Sequence, residues 1–146
     1  VKLKHNPNKS LIKNKSLVLI DDSLVRGTTS EKIIKMLYES GAKEVHLRIA
    51  SPPIKYPDYY GVDTPNQNEL LASKFDLEGM RKFINAKTLK FLSLDGLYKS
   101  MGFEKRNSSY PQYTDHCFTG EYPIKPIDAN EKDFVDRQIS FMSHKN

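Results

Sequence analysis

With one cysteine, Cys117, the 146-residue sequence cannot be stapled by an internal disulfide, and it suits a reducing compartment such as the cytoplasm. No apolar run approaches the ~20 residues that a spanning helix needs, and the N-terminus has no hydrophobic signal core. Internal repeats and low-complexity tracts are missing. Neither G-x-x-x-x-G-K-[ST] nor a G-x-G-x-x-G after a strand occurs, which removes the P-loop and the dinucleotide fingerprint. Acids are absent from positions 1–16, where Lys2, Lys4, Lys9, Lys13 and Lys15 carry the whole net charge of +5. The rest of the chain balances, so a nucleic-acid module with a basic face and a helix pair is not expected. Confined to one segment, this charge suits either a solvated linker or a local attraction for a polyanionic ligand. What remains is ordinary globular composition, 38% hydrophobic and 28% charged, enough for one domain with a core.

One stretch organises the chain. The apolar run Leu17-Val18-Leu19-Ile20 enters Asp21-Asp22, then the loop Ser23-Leu24-Val25-Arg26-Gly27-Thr28-Thr29. Beyond it Ile33, Ile34 and Leu37 recur at helical spacing, with Gly41 at the expected stop. This is strand, loop, helix. In open α/β sheets, ligands bind outside the carboxyl ends of strands, and free N–H groups at a helix start attract anions. Gly27 permits positive φ and close backbone approach, and the threonines add hydroxyl donors. Ionised Asp21 and Asp22 only accept, which suits sugar hydroxyls and a hard cation such as Mg²⁺. Strand geometry sends neighbouring side chains to opposite faces, so both meet one ligand only where the chain is turning. Structural alternatives stand beside these readings: Thr28 with Glu31 forms a capping-box pattern, and Arg26 alone is a solvated loop charge. Adjacent acids at a strand end, by contrast, call for a cation or donors nearby.

Downstream, Val45, Leu47 and Ile49 alternate with His46 and Arg48 as a second strand, which gives His46 a structural or solvated place on the other face. Ala50-Ser51-Pro52-Pro53-Ile54 leaves that strand on the rim that carries Asp21 and Asp22, and Tyr56, Tyr59 and Tyr60 pack an irregular loop. Asn68 to Ala72 predicts a short helix. Asp76 caps a longer one whose Leu77, Met80 and Ile84 share a face. Leu89, Phe91, Leu92 and Leu94 predict a third strand, and Asp95 a cap for a helix over 96–101. The β-α-β-α-β-α order is an α/β domain, with too few elements to close a parallel sheet comfortably. From Phe103 the pattern becomes irregular, and Val135, Ile139 and Met142 share a possible helical face.

The stretch from Val18 to Ser30 resembles the phosphoribosyl pyrophosphate signature of the type I phosphoribosyltransferases. Further likeness lies in Gly41-Ala42-Lys43-Glu44-Val45-His46, Ala50-Ser51-Pro52-Pro53-Ile54, Tyr60-Gly61-Val62-Asp63-Thr64-Pro65 and Cys117-Phe118-Thr119-Gly120-Glu121-Tyr122-Pro123. Over nearly residues 1–125 it is similar to the glutamine phosphoribosylpyrophosphate amidotransferase family in particular. The resemblance implies a type I phosphoribosyltransferase-like parallel sheet with flanking helices, incomplete in this chain. Residues 1–102 would be the C-terminal part of that domain and 103–146 an extension, with the N-terminal glutaminase part absent. The activity implied is displacement of pyrophosphate from phosphoribosyl pyrophosphate by glutamine-derived ammonia, giving 5-phosphoribosylamine in the first committed step of purine synthesis.

By the same resemblance, Asp21 and Asp22 hold the ribose hydroxyls and Mg²⁺, and Ser23, Val25, Arg26, Gly27, Thr28 and Thr29 hold the 5-phosphate. Lys4 is a further substrate contact, and no catalytic residue falls in this chain. Purine nucleotides as feedback inhibitors and a homo-oligomer of the complete enzyme are also implied. The isolated chain is expected not to catalyse, and a noncatalytic phosphoribosyl-binding regulator or a nonfunctional remnant stands as the alternative. Some members hold an iron–sulfur cluster partly through Cys-x-x-Cys ahead of Phe-Thr-Gly, where this chain has Thr114-Asp115-His116-Cys117. Threonine does not replace a thiolate, so no cluster is expected. A zinc half-site at His116-Cys117 is disfavoured, since adjacent residues seldom supply two ligands and no other donor is near in sequence.

Overall fold

The computed structural model describes residues 7–62, 64 and 66–124. Lys4 and the trio Val135, Ile139 and Met142 lie outside the described residues. Three parallel strands, β1 (Ser16–Asp21), β2 (Glu44–Ile49) and β3 (Thr88–Phe91), form a sheet in the order β1-β2-β3. Leu17 pairs with Val45 and Asp21 with Ile49, and on the other side of β2 Ile49 pairs with Phe91. All three carboxyl ends therefore share one rim. Two backbone bonds tie it together, from Ala50 N–H to the Asp21 carbonyl and from Leu92 N–H to the Ile49 carbonyl, both at 2.9 Å.

Because the strand order runs one way, crossovers of one hand place α2 (Thr28–Glu39) and α4 (Leu77–Phe83) on the same face. That face holds the core, where Ile34 of α2 and Met80 and Ile84 near α4 cover Val45, Leu47, Ile49 and Leu89. The other face is uncovered by the described residues: Val18 and Ile20 on edge strand β1 are 63% and 73% exposed. Parallel sheets normally bury both faces, and the expected incompleteness is visible here as bare apolar side chains. On β2 this face is polar. His46 Nδ1 meets Thr88 Oγ1 at 2.9 Å and Arg48 donates to the same oxygen at 3.0 Å, which makes His46 a cross-strand structural residue.

Several local expectations shift. The region from Asn68 to Ala72 resolves into a 3₁₀ turn (Gln67–Glu69) followed by α3 (Leu71–Lys74). Asp76 does cap α4, accepting from Gly79 N–H at 2.7 Å, but Leu77 stays exposed while Met80 and Ile84 are buried. The last helix of the body, α5 (Leu94–Ser100), is capped by Ser93, whose Oγ accepts from Gly96 N–H at 3.0 Å. Asp95 falls inside the first turn, where its charge favours the helix dipole without capping, and Leu92 and Leu94 leave the strand. A short helix at Lys9–Ile12, α1, precedes β1. Residues 103–124 fold back: Phe103 and Tyr113 pack on fully buried Tyr98, and α6 (His116–Thr119) ends at the left-handed Gly120. Tyr59 and Tyr60 pack against Tyr122 of this segment at 5.3 and 6.3 Å, so the tyrosines build the loop as expected.

Candidate functional site

The chain turns as it leaves β1, and residues 21–30 line one cleft of about 320 Å³. Asp22 N–H donates to Asp21 Oδ1 and Ser23 Oγ to Asp22 Oδ1, each at 3.1 Å. This turn is what brings two sequence-adjacent carboxylates into one cleft. Among the described residues neither forms a salt bridge. Uncompensated carboxylates offering only oxygen fit a hard divalent cation and hydroxyl donors.

Across the cleft, α2 opens at Gly27, the N-cap, with φ 78°. No side chain caps it, and its first intrahelical bond runs from Glu31 N–H to the Gly27 carbonyl at 2.9 Å. The Thr28–Glu31 capping box does not form, because the helix begins one residue too early for Thr28 to be its cap. The first-turn N–H groups of a twelve-residue helix are thereby left as donors for an anion, beside the hydroxyls of Thr28 and Thr29.

The loop is braced from behind at three consecutive residues. Val25 carbonyl accepts from Leu71 N–H at 2.8 Å, and Arg26 Nε donates to Glu69 at 2.9 Å. A Cβ on Gly27 would lie 2.8 Å from Leu71 Cδ2 and 3.1 Å from Phe83 Cε1. Arg26 is thus an ion-paired loop residue and not a free charge. Glu69, Leu71 and Phe83 escape a sequence reading, since nothing local links positions more than forty residues apart.

Replacing Glu69 by Gln tests the brace. The pair is half-exposed, so unfolding free energy should change by less than about 0.5 kcal/mol, while loosening the loop should weaken binding of a phosphate ester, the ligand proposed below, roughly two- to fivefold. Urea titration and calorimetry on the same protein separate the two, and unchanged affinity would refute the bracing role.

The chain has one cysteine and Thr114 is exposed, so these residues do not by themselves supply the four thiolates of an all-cysteine cluster. No described helix is long and apolar enough to cross a membrane.

A parallel sheet with an acidic turn and an uncapped helix start at its carboxyl rim is part of a type I phosphoribosyltransferase-like fold. No protein-family model matches the chain. Among curated proteins, the amidophosphoribosyltransferase of Rhizobium etli is 55% identical over 131 residues, which are 89% of this chain and 26% of that protein. Amidophosphoribosyltransferase 1, chloroplastic, of Arabidopsis thaliana is 47% identical over 140 residues, 93% and 24% respectively. Among solved structures, the glutamine phosphoribosylpyrophosphate amidotransferase of B. subtilis complexed with ADP and GMP matches with a TM-score of 0.70 at 48% identity. That match covers 79% of this chain and 25% of that one. Along the matched segment the chain is a homologue of the amidophosphoribosyltransferases, and it spans about a quarter of their length.

Proposed function

We propose that the chain is the phosphoribosyl pyrophosphate-binding part of a glutamine-dependent amidotransferase making 5-phosphoribosylamine. The observation that carries this is one cleft with uncompensated carboxylates on one lip and an uncapped helix start on the other, in a segment homologous to that enzyme. Asp21 and Asp22 accept hydroxyl hydrogen bonds from the ribose and hold Mg²⁺. Ser23, Val25, Arg26, Gly27, Thr28 and Thr29 surround the 5-phosphate with backbone N–H groups, hydroxyls and one guanidinium. Mg²⁺, when bound, supplies charge neutralisation for a departing pyrophosphate. The chain's own contribution is positioning and electrostatic stabilisation, with no protein nucleophile among these residues.

In this reading Lys4 is a further contact. Ammonia comes from a glutaminase part, the complete enzyme is a homo-oligomer in the cytoplasm, and purine nucleotides inhibit it. The ADP and GMP complex of the B. subtilis protein supports the nucleotide element.

Calorimetry of the chain with phosphoribosyl pyrophosphate and Mg²⁺ tests the proposal. Binding should require the cation and weaken roughly 10- to 100-fold in the Asp21→Asn/Asp22→Asn double variant, since hydrogen bonds to charged groups are at stake. A folded chain that gives no heat, or binding that ignores both Mg²⁺ and the double substitution, would overturn it.

A further inference from the structure

Ser30, the third residue of α2, lines the cleft together with Asp21, Asp22 and the loop at 23–29, although only 3% of it is exposed. It stands four positions before Ile34 and seven before Leu37, on the helix face that packs against the sheet. An apolar side chain is the ordinary occupant of such a place. Here it is a hydroxyl, and that hydroxyl makes no hydrogen bond among the described residues.

A buried hydroxyl without a partner costs free energy, and a serine in a helix ordinarily recovers it by bonding the carbonyl four residues back. Ser40, at the other end of the same helix and also buried, does this: its Oγ donates to the Met36 carbonyl at 2.8 Å. For Ser30 the equivalent residue is Arg26, which lies in the loop ahead of the Gly27 cap, and no such bond forms. Nor is the Ser30 oxygen sealed inside the protein. Among the described side chains, the atoms that are both fully buried and unmatched are Ser51 Oγ and His116 Nδ1, so the small opening at Ser30 includes its hydroxyl. The backbone N–H is in a similar state, because the helical ladder begins with Glu31 N–H and leaves those of Thr28, Thr29 and Ser30 ahead of it.

We propose that Ser30 is a further ligand-binding residue, whose hydroxyl donates a hydrogen bond to an oxygen of the sugar phosphate from the inner wall of the cleft. This rests on the phosphoribosyl reading above and adds to it a residue of the helix face that otherwise builds the core. Thr28 and Thr29 are exposed and serve the outer oxygens, whereas buried Ser30 meets the innermost one. A phosphate ester suits the place, since its terminal oxygens accept from several donors at once and its charge is favoured at the start of a helix. Asp21 and Asp22, acceptors only when ionised, cannot supply that donor. The Ser30 hydroxyl gains its partner when the ligand enters, so the residue serves affinity and not stability.

Calorimetry with ribose 5-phosphate, run beside urea unfolding, separates these two roles. Ser30→Ala should weaken ribose 5-phosphate binding roughly tenfold, the loss of one hydrogen bond to a charged group, while its urea midpoint equals or exceeds that of the wild type. Ser40→Ala is the converse control: it removes a bond made within the fold, so it should lower the midpoint and leave affinity unchanged. A Ser30→Ala protein that binds as tightly as the wild type, or whose weaker binding comes with a lowered midpoint, would overturn the proposal and leave the phosphoribosyl reading standing. A folded wild-type chain that binds neither ribose 5-phosphate nor phosphoribosyl pyrophosphate with Mg²⁺ would overturn both.

Discussion

Gly27→Ala is expected to lower unfolding free energy by about 2–4 kcal/mol and to weaken phosphoribosyl pyrophosphate binding more than tenfold. Two costs add. At φ 78° an L-residue sits in the left-handed region, which costs roughly 1–2 kcal/mol. The new methyl would also stand 2.8 Å from Leu71 Cδ2, and Leu71 is buried in the main core with Leu24 and Ile34. Phe83, the second neighbour, stacks on Phe75 with ring centroids 6.0 Å apart, so neither side chain yields freely. Overpacking of this kind costs about 1–3 kcal/mol. Relief by moving the loop outward would break the bond between Val25 and Leu71 and strain the Arg26–Glu69 pair, displacing the donors proposed to hold the phosphate. Urea unfolding gives the first number and calorimetry the second. A variant with wild-type midpoint and affinity would mean that the α3–α4 wall does not press on the loop.

The main site was legible because its chemistry is local. Apolar run, paired acids, glycine and threonines occupy thirteen consecutive positions, and the strand–loop–helix grammar places them on a rim without any tertiary information. What was not legible is what holds them there. The brace comes from Glu69 and Leu71, and no periodicity marks a carboxylate that pairs with an arginine 43 positions away. The open alternative at Thr28 is decided in the same way: Gly27 is the cap, at φ 78° against Leu71 and Phe83, and local pattern alone does not choose between it and the threonine. Ser93 and Asp95 differ by two positions within one apolar-to-helical transition, and both are good capping residues; only the strand's end at Phe91 decides between them. The irregular segment gave least. Its order depends on long-range polar and aromatic contacts, His116 with Asp58 and Tyr60 among them, that leave no repeat in the sequence.

That segment is also where acid should act first. Asp115 is 5% exposed and receives Arg106 Nε at 2.5 Å, Tyr98 Oη at 2.8 Å and Thr119 Oγ1 at 3.2 Å. The Arg106 side chain, 9% exposed, reaches Glu121 on its other side. Burial by itself would raise the Asp115 pKa, but the hydrogen bonds from Arg106 and Tyr98 and the charge of Arg106 outweigh it and hold the carboxyl below its ordinary value. A carboxyl depressed in the folded state stabilises fully above its unfolded pKa near 3.9, and that contribution drains away as pH falls through the lower folded value. Asp58 is depressed as well: burial opposes, and the Val62 N–H and His116 bonds prevail. Both groups therefore withdraw support in the same acid window. Asp115→Ala leaves the buried guanidinium with only the exposed Glu121 and leaves the Tyr98 hydroxyl with only the longer 3.4 Å contact to the Tyr113 carbonyl, so it should cost about 3–5 kcal/mol at pH 7. Its stability should also fall less steeply than the wild type's between pH 5 and acid unfolding, because one of the two titrating carboxylates is gone. Unfolding curves at a series of pH values measure both effects, and parallel pH profiles for the two proteins would show that Asp115 does not bear the segment's acid sensitivity.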